Sequence, residues 1–527
     1  MLISYFMRKI VFWQNHNNRE HDNEDYLDKD ISSNLEENIE FFKAILGNSN
    51  DIKIHEFMFG DCCEFNGALI YIDGLVNNLE ITESILKPII LNKDFKEDMM
   101  ENLKIRDFKK CIICSGDIGE SNRYSDLFKG CLSGNTILLV DKLSTGLIVS
   151  TKGWEKRSVT EPQTESVVRG PREGFTEDFR TNTSLLRRRI KSPRFKMENM
   201  IIGKKTYTHI CIAYIEGTVK PEVLQKLRDR LRNIDVDSII DSGYIEEYVE
   251  DYPFSIFSTI GYSEKPDVIA AKILEGRIAI VVDGSPFVLT VPMLFVESFQ
   301  TAEDYYVRPI YASIIRMMRF FAYFIAIFAV PGFIALTTFH QELIPTTLLF
   351  TVANAREGTP FPALLEALIM VISFEILREA GLRLPRPVGQ AISIVGALVM
   401  GDAAVSAGIV GAPMVITVAI AAVAGFIIPE QSDSISILRI IMMILASVLG
   451  GFGIAVGFLG MLVHLSILEP FGIPYFASIE FSKDQQDSFV RLPLWIMEDR
   501  PEELTYIDKK RKKTFIPPDG ENNNKEK

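Results

Sequence analysis

The chain contains 527 residues, of which 69 are acidic and 56 are basic, giving a formal net charge of −13 at pH 7. That length accommodates three or four domains of about 150 residues. The acidic balance disfavours nucleic-acid binding, which needs a basic face to contact phosphates. The charges are uneven, because residues 317–470 hold only 15 charged side chains in 154 positions and no lysine occurs between Lys272 and Lys483. The sequence therefore predicts a soluble part joined to a membrane part.

The N-terminal region and the cysteines indicate where the soluble part resides. Residues 1–36 become polar after an apolar start and lack a signal-peptide cleavage site, so we predict a disordered extension. All six cysteines lie between residues 62 and 211 without the spacing of a disulfide scaffold, which favours the reducing cytoplasmic side. Cys111 and Cys114 form the only CxxC pair. We predict that they pack in a strand and that the protein has no metal site and no cofactor.

Two stretches of the soluble part repeat one another. ALIYIDG at residue 68 matches CIAYIEG at residue 211, an offset of 143, and GNTILLVD at residue 134 matches GRIAIVVD at residue 276, an offset of 142. Each motif is a predicted buried strand ending in an acidic residue, and predicted helices lie between them. We predict two copies of one α/β lobe, over residues 37–157 and 199–310, with chance similarity between buried strands as the alternative.

Residues 158–198 are predicted to link the lobes. Four cations stand close together there, and two interpretations apply: an anionic lipid or nucleic-acid contact, or pairing with nearby acids. We favour pairing. The cations are Arg187, Arg188, Arg189 and Lys191, and the nearby acids are Glu173, Glu177 and Asp178.

The membrane domain is predicted over residues 311–470, with a polar cytoplasmic tail over 471–527. A spanning helix needs about 20 mainly apolar residues. Five runs qualify, the last being either one long helix or a hairpin: Arg316–Phe339, Phe361–Ala380, Val388–Val410, Ala412–Ile428 and Ile435–Leu468. Leu343–Val352 is too short to cross and could be re-entrant. We predict four to six helices, and basic clusters on one side require an even number, four or six.

Polar residues within these apolar runs are the candidate functional residues, because a charge at membrane depth usually faces a bundle interior, a cavity or a partner. Glu366 and Glu375 are nine residues apart and fall on opposite faces of one helix. Asp402 stands among small residues that permit close helix approach. The alternatives for each acid are pairing with an arginine, such as Arg378 three residues from Glu375, and a position at the membrane interface.

Two further features of the apolar runs carry predictions. Pro331 and Gly332 interrupt the first run, so we expect a kink there and treat it as a candidate gate. His464 is predicted to be a packing residue.

The chain lacks phosphate-binding, hydrolase and zinc-protease motifs and any nucleophile–base pair, so we predict that it is not an enzyme.

Several long motifs resemble the A subunit of GerA-type spore germination receptors. They cover residues 160–480 densely, and they are GPREGFTEDFRTNTSLLRRRIKSPRF (170–195), VVDGSPFVLTVP (281–292), FQTAEDYYVRP (299–309), AREGTPFPALLEA (355–367), EILREAGLRLPRPVGQAISIVGALVMGDAAVSAG (375–408) and FIIPE (426–430). The resemblance implies a protein of the endospore inner membrane whose N-terminal domain faces the spore core. It also implies two partners, a permease-like multispan B subunit that senses nutrient and a lipoprotein C subunit.

The same resemblance implies that copies of the A subunit oligomerise into a nutrient-gated cation channel. Because Glu366 and Asp402 are acids within apolar runs, we hypothesise that a ring of either residue would attract cations in such a channel. The alternatives are a non-conducting scaffold for the B and C subunits, and the similar stage V sporulation protein AF. A secondary transporter would show paired broken helices in inverted repeats, and no such pair is evident.

Overall fold

The computed structural model describes residues 29–47, 49–60, 65–92, 108, 118–153, 165, 167–383, 401–477, 487–494, 497 and 499–511. Cys111 and Cys114, most of the predicted 388–410 span and most of residues 1–36 lie outside these ranges. The described end of the N-terminal region belongs to the first lobe, because Ile31 and Leu35 are buried in its core.

The first lobe is a five-stranded antiparallel sheet in the order β1-β2-β4-β5-β3. Its strands are β1 (Ile52–Phe59), β2 (Phe65–Ile72), β3 (Ile118–Ser121), β4 (Thr136–Val140) and β5 (Gly146–Val149). Its helices are α1 (Leu35–Leu46), α2 (Asn78–Glu80, the π-helical Ile81–Leu86 and Lys87–Ile90) and α3 (Tyr124–Leu132). Helices α1 and α3 cover one face and α2 the other, so every residue of β4 is buried.

The second lobe repeats this arrangement, with the strand order β6-β7-β9-β10-β8. Its strands are β6 (Phe195–Ile202), β7 (Thr208–Ile215), β8 (Gly261–Ser263), β9 (Ile278–Val282) and β10 (Val288–Val291). Its helices are α4 (Phe179–Arg189), α5 (Pro221–Asn233), α6 (Ser242–Val249) and α7 (Pro266–Leu274). Helices α4 and α7 cover one face of the sheet, and α5 and α6 cover the other.

The predicted repeat is confirmed, and it extends further than the two motif pairs. Each strand of the first lobe begins 142 or 143 residues before its counterpart, and α1 begins 144 residues before α4. The second lobe therefore begins with α4, before residue 199, and most of the predicted linker is part of it. The linker interpretation failed because α4 is rich in arginine, yet its apolar face packs on the sheet.

The two lobes are joined by a buried ion pair. Arg187 on α4 is 1% exposed, and its Nε lies 2.8 Å from Oδ2 of Asp51 at the start of β1. Ser49 Oγ accepts a hydrogen bond from Arg187 Nη2 (2.9 Å), and Phe195 stacks below the guanidinium. Arg188 and Arg189 both pair with Glu173, so the predicted pairing with nearby acids is confirmed for them.

The helical domain contains α8 (Pro309–Thr338), α9 (Thr346–Glu357), α10 (Ala363–Arg383), α11 (Ala412–Phe426) and α12 (Ser432–Ile467), and residues 401–406 are also helical. Two helical stretches are long and apolar enough to cross a membrane, Pro309–Thr338 and Pro429–Ile467, and Ala412–Phe426 is a shorter apolar helix. The predicted runs thus coincide with helices where they are described. The short run at 343–352 falls largely within α9.

Helix α12 is a hairpin, the second of the two alternatives. Gly450 has φ 61° and ψ −140°, outside the helical region. A Cβ placed on Gly457 would lie 2.5 Å from the Sδ atom of Met442, although these residues would be about 22 Å apart along a straight helix. The chain therefore reverses at Gly450, and residues 432–449 and 451–467 run side by side.

Contacts with the second lobe orient the helices. Both ends of α12 lie beside the lobe, because Gln431 donates to Ser298 Oγ (2.8 Å) and the backbone N–H of Glu469 donates to Tyr252 (3.4 Å). The Gly450 reversal packs on Phe339, at the far end of α8. Each half of the hairpin is about 26 Å long, close to the ~30 Å hydrocarbon core of a bilayer.

The chain returns to the second lobe after the hairpin. Phe471 and Leu504 are buried in the lobe's core, and Thr505 forms a β-bridge with Val219. Within the predicted polar tail, residues 499–511 therefore lie against the second lobe, where Leu504 packs in its core.

Candidate functional site

A buried cluster of ion pairs joins the second lobe to α8; we call it the junction cluster (Asp304, Tyr305, Arg316, Arg319 and Asp487). Asp304 is 2% exposed, and its Oδ2 lies 3.2 Å from Arg316 Nε and 2.8 Å from Arg319 Nη1. Arg316 also contacts Asp487, with 2.9 Å between Nη1 and Oδ1. Tyr305 donates its hydroxyl proton to the other oxygen of Asp487 (2.6 Å). Two cations thus meet two carboxylates, and α8 is fixed to the lobe.

The electrostatics of this cluster depend on burial. Burial raises the pKa of Asp487, and the charge of Arg316 opposes that rise only in part. Burial followed by the Asp487 charge raises the pKa of Tyr305 well above its usual value, so the phenol stays a hydrogen-bond donor. Arg316 and Arg319 are thus buried against acids of their own chain.

A second cluster lies among the membrane helices; we call it the Arg439 cluster (Glu375, Arg378, Ser432, Ser436 and Arg439). Glu375 Oε2 lies 2.8 Å from Arg378 Nη2, and its Oε1 accepts a hydrogen bond from Ser436 (2.9 Å) and lies 3.8 Å from Arg439 Nη1. Arg378 donates to Ser432 (2.6 Å). The cavity beside these side chains measures about 20 Å³, room for a single water. Glu375 is therefore ion-paired, as one alternative predicted.

Arg439 holds four helices together, and the sequence interpretation missed it. Its Nε donates to the carbonyl of Ala326 on α8 (2.8 Å), and its Nη2 makes a longer contact of 3.4 Å with the carbonyl of Ala421 on α11. The same side chain faces Glu375 on α10. A lone arginine in an apolar run was the available signal, because such a cation requires a buried partner.

Glu366 lies at the opposite end of α10 and is also engaged. Its side chain is 0% exposed, and Oε1 accepts a hydrogen bond of 2.5 Å from the backbone N–H of Gly411. Gly411 is the residue that precedes α11, so the carboxylate occupies the positive end of that helix. Arg356, at the end of α9, lies 3.6 Å from the other oxygen. Glu366 thus ties α9, α10 and α11 together within one chain.

Asp402 differs from the two glutamates because it is exposed on the surface of the helical domain. It makes no ion pair or hydrogen bond with any residue that the structure describes. Ala403, Ser406 and Ala407 beside it are also exposed, so this surface carries small side chains around one carboxylate. Such a surface permits the close approach of another helix.

Pro331, Gly332 and His464 are the remaining residues that the sequence singled out in the apolar runs. Pro331 lies inside α8, which runs without interruption from Pro309 to Thr338, and a Cβ added at Gly332 would meet nothing within 4 Å. The backbone break that the structure places in the membrane helices is at Gly450. His464 packs against Phe257 and hydrogen-bonds Ser255 (3.1 Å), as predicted for a packing residue.

Glu246 is a titratable group of the second lobe that the sequence did not single out. It lies on α6, where Ser258 donates to it across 3.5 Å. Burial, reinforced by the charge of Glu250, raises the pKa of Glu246 from 4.5 to about 7. The folded protein therefore keeps a proton on this carboxyl under conditions in which the unfolded chain has lost it.

We expect the full chain in detergent to lose thermal stability as the pH rises from 4.5 through about 7, because ionising Glu246 costs free energy only in the folded state. Glu246→Gln should flatten this part of the curve and raise the midpoint of unfolding at pH 8. Glu222→Gln, an exposed change on α5, is the control. An unaltered pH profile in Glu246→Gln would contradict the assignment.

These features define a class: a membrane protein in which two repeated α/β lobes are fixed by buried ion pairs to a bundle of apolar helices. Comparison with known proteins identifies the family. The model of the Bacillus/Clostridium GerA spore germination protein family matches residues 40–503. The chain belongs to this family, as the motifs predicted, and the family is not a known class of enzymes.

Individual relatives are similar in sequence to this chain along most of their length. Spore germination protein KA of Bacillus subtilis is 44% identical over 485 residues, covering 91% of this chain and 88% of the relative. The uncharacterized membrane protein YfkQ of B. subtilis is also 44% identical, covering 91% of this chain and 93% of the relative. A crystal structure of the N-terminal domain of the A subunit of the Bacillus megaterium germinant receptor GerK3 is 34% identical; it covers 51% of this chain and 98% of that chain, with a TM-score of 0.40.

Proposed function

We propose that this chain is the A subunit of a germinant receptor in the inner membrane of the endospore. In this proposal it acts with a permease-like B subunit and a lipoprotein C subunit, and its lobes face the spore core. Several copies assemble around a cation pathway that opens on nutrient binding. The observation that supports a pore is the position of Asp402, whose carboxylate is exposed among small residues on the surface of the helical domain.

The topology of the proposal is six crossings. Helix α8 leads away from the second lobe, α10 returns toward it, and α11 and the second half of α12 also run toward it. The predicted span Val388–Val410, most of which lies outside the described residues, supplies the remaining crossing in this proposal. Both ends of the helical domain, Pro309 and Ile467, lie on the lobe side in this arrangement, which agrees with the even number expected from the basic clusters.

The contacts support a structural role for some polar residues of the helical domain and a pore role for Asp402. Glu366 and Glu375 are each held by cations of the same chain, so they stabilise the bundle. Asp402 is available to a neighbouring copy, and each copy would add one carboxylate to a ring. The junction cluster carries movement of the lobes to α8, and the Arg439 cluster passes it to α10, α11 and α12.

A non-conducting scaffold is the second candidate function. The observation that favours it is that Glu366 and Glu375 are both engaged by contacts within one copy. Neutralising Asp402 separates the two functions, because a scaffold does not need that charge.

We expect Asp402→Asn to reduce nutrient-triggered cation release from spores by about tenfold, because the ring loses one charge per copy. Asp402→Glu should retain most of the release. Glu379→Gln removes an exposed acid at the end of α10 and is the matched control. Normal release from Asp402→Asn spores that contain wild-type amounts of the protein would favour the scaffold.

A further inference from the structure

The loop between α6 and β8 carries one side chain that the fold leaves entirely uncovered. Phe254 is 100% exposed, whereas Phe257, three residues later, is 1% exposed. Pro253 precedes Phe254, and its ring fixes the backbone angle φ of Pro253 itself, which limits the freedom of the loop just before Phe254. A large aromatic side chain in this position is not explained by the packing of the second lobe.

The loop is held firmly on both sides of Phe254. Before it, Asp251 pairs with Arg230 and with Lys226 of α5 (3.0 Å to the lysine) and accepts a hydrogen bond from the backbone N–H of Phe471 (2.6 Å). After it, Ser255 hydrogen-bonds His464 in the last turns of α12 (3.1 Å). The position of Phe254 is therefore fixed relative to the hairpin.

The surface of α12 beside the loop is apolar and exposed. Leu459, Val463 and Ile467 are four residues apart in turn, so they share one face of the second half of the hairpin, and they are 59%, 59% and 61% exposed. His464, the contact of the loop, follows Val463 directly. The loop that carries Phe254 therefore lies beside the last turns of α12, the part of the hairpin that bears this exposed apolar face.

We propose that Phe254 inserts into the interfacial layer of the bilayer and anchors the second lobe to the lipid surface. This inference rests on the proposed function, in which α12 crosses the membrane and Leu459, Val463 and Ile467 face lipid. Aromatic side chains are favoured at the membrane–water interface, and the rigid loop means that little conformational entropy is lost on insertion. The anchor fixes the lobe at the membrane surface, beside the junction cluster.

The test uses tryptophan fluorescence of the full chain in liposomes that contain phosphatidylcholine brominated at a shallow or a deep acyl position. Phe254→Trp reports on the loop, Leu459→Trp on the hairpin and Met58→Trp on an exposed site of the first lobe, with Met58 61% exposed. The three native tryptophans form a common background, which is subtracted with the parent chain.

We expect the shallow bromines to quench about half of the emission added at residue 254, the deep bromines to quench residue 459, and neither to quench residue 58. Quenching at 459 without quenching at 254 would overturn the anchor and leave the membrane placement intact. A blue-shifted but unquenched signal at 254 would also overturn it and indicate a protein partner. Loss of quenching at 459 would contradict the membrane placement itself.

Discussion

Replacing Asp304 with asparagine is expected to destabilise the full chain by about 3–5 kcal/mol, the usual cost of removing one member of a buried ion pair. The substitution keeps the shape of the side chain and removes its charge. Arg316, which is 0% exposed, would then keep Asp487 as its carboxylate, whereas Arg319, which is 9% exposed, would keep only the neutral acceptors Phe299 and Thr301 among its described contacts. We expect a large fall in the thermal midpoint measured in detergent.

The neighbouring change Glu303→Gln is the control for Asp304→Asn. It removes the same charge one residue away, and Glu303 forms no ion pair with the residues that the structure describes. It should leave the midpoint close to that of the parent chain. Equal midpoints for Asp304→Asn and Glu303→Gln would show that the junction cluster does not hold α8 to the lobe.

Replacing Gly450 with alanine is also expected to destabilise the folded chain strongly. The backbone at φ 61° and ψ −140° is accessible essentially to glycine alone, and a residue held in such a region costs about 1–3 kcal/mol. The added Cβ would also lie 2.9 Å from the Cβ of Phe339, so the end of α8 would have to move. We expect little folded protein to be extracted from membranes.

Gly460→Ala in the second half of the hairpin is the matched control. It adds the same methyl group to the same helix, but nothing lies within 4 Å of the new atom. Alanine is also the better helix former, by about 1 kcal/mol. We therefore expect Gly460→Ala to be neutral or stabilising. If the two variants behaved alike, α12 would not reverse at Gly450.

The lobes were largely predictable because their signals are local. Buried strands such as β4 and β9 are continuous apolar runs ending in an acidic residue, and the repeated motifs gave the offset between the lobes. The start of the second lobe was misplaced because α4 carries three consecutive arginines. One of them, Arg187, pairs with Asp51 on the other lobe, a partner 136 residues away that no local pattern indicates.

The helical domain was predictable in its elements but not in its contacts. Apolar runs located α8, α10 and α11, yet the choice between a long helix and a hairpin depended on the conformation of Gly450. The acids Glu366 and Glu375 were found because charges are rare in such runs. Their partners Arg356 and Arg439 lie on other helices, and the spacing of residues along the sequence does not show which helices pack together.

The most direct test of the proposed channel is chemical modification at residue 402. Asp402→Cys places the single cysteine of the helical domain at this site, because all native cysteines lie between residues 62 and 211. The described native thiols, Cys131 and Cys211, are buried, and burial raises the pKa of Cys131 to about 12, so neither should react. The parent chain, treated identically, controls for the others.

We predict that Asp402→Cys itself lowers cation release, as Asp402→Asn does, and that a positively charged methanethiosulfonate reagent attached to residue 402 during germination will block the release that remains, because each bound group adds a positive charge to the ring. Mass spectrometry of the extracted protein measures how completely residue 402 is modified. Block of release in step with modification is the result that the channel requires. Complete modification with undiminished release would contradict a pore lined by Asp402.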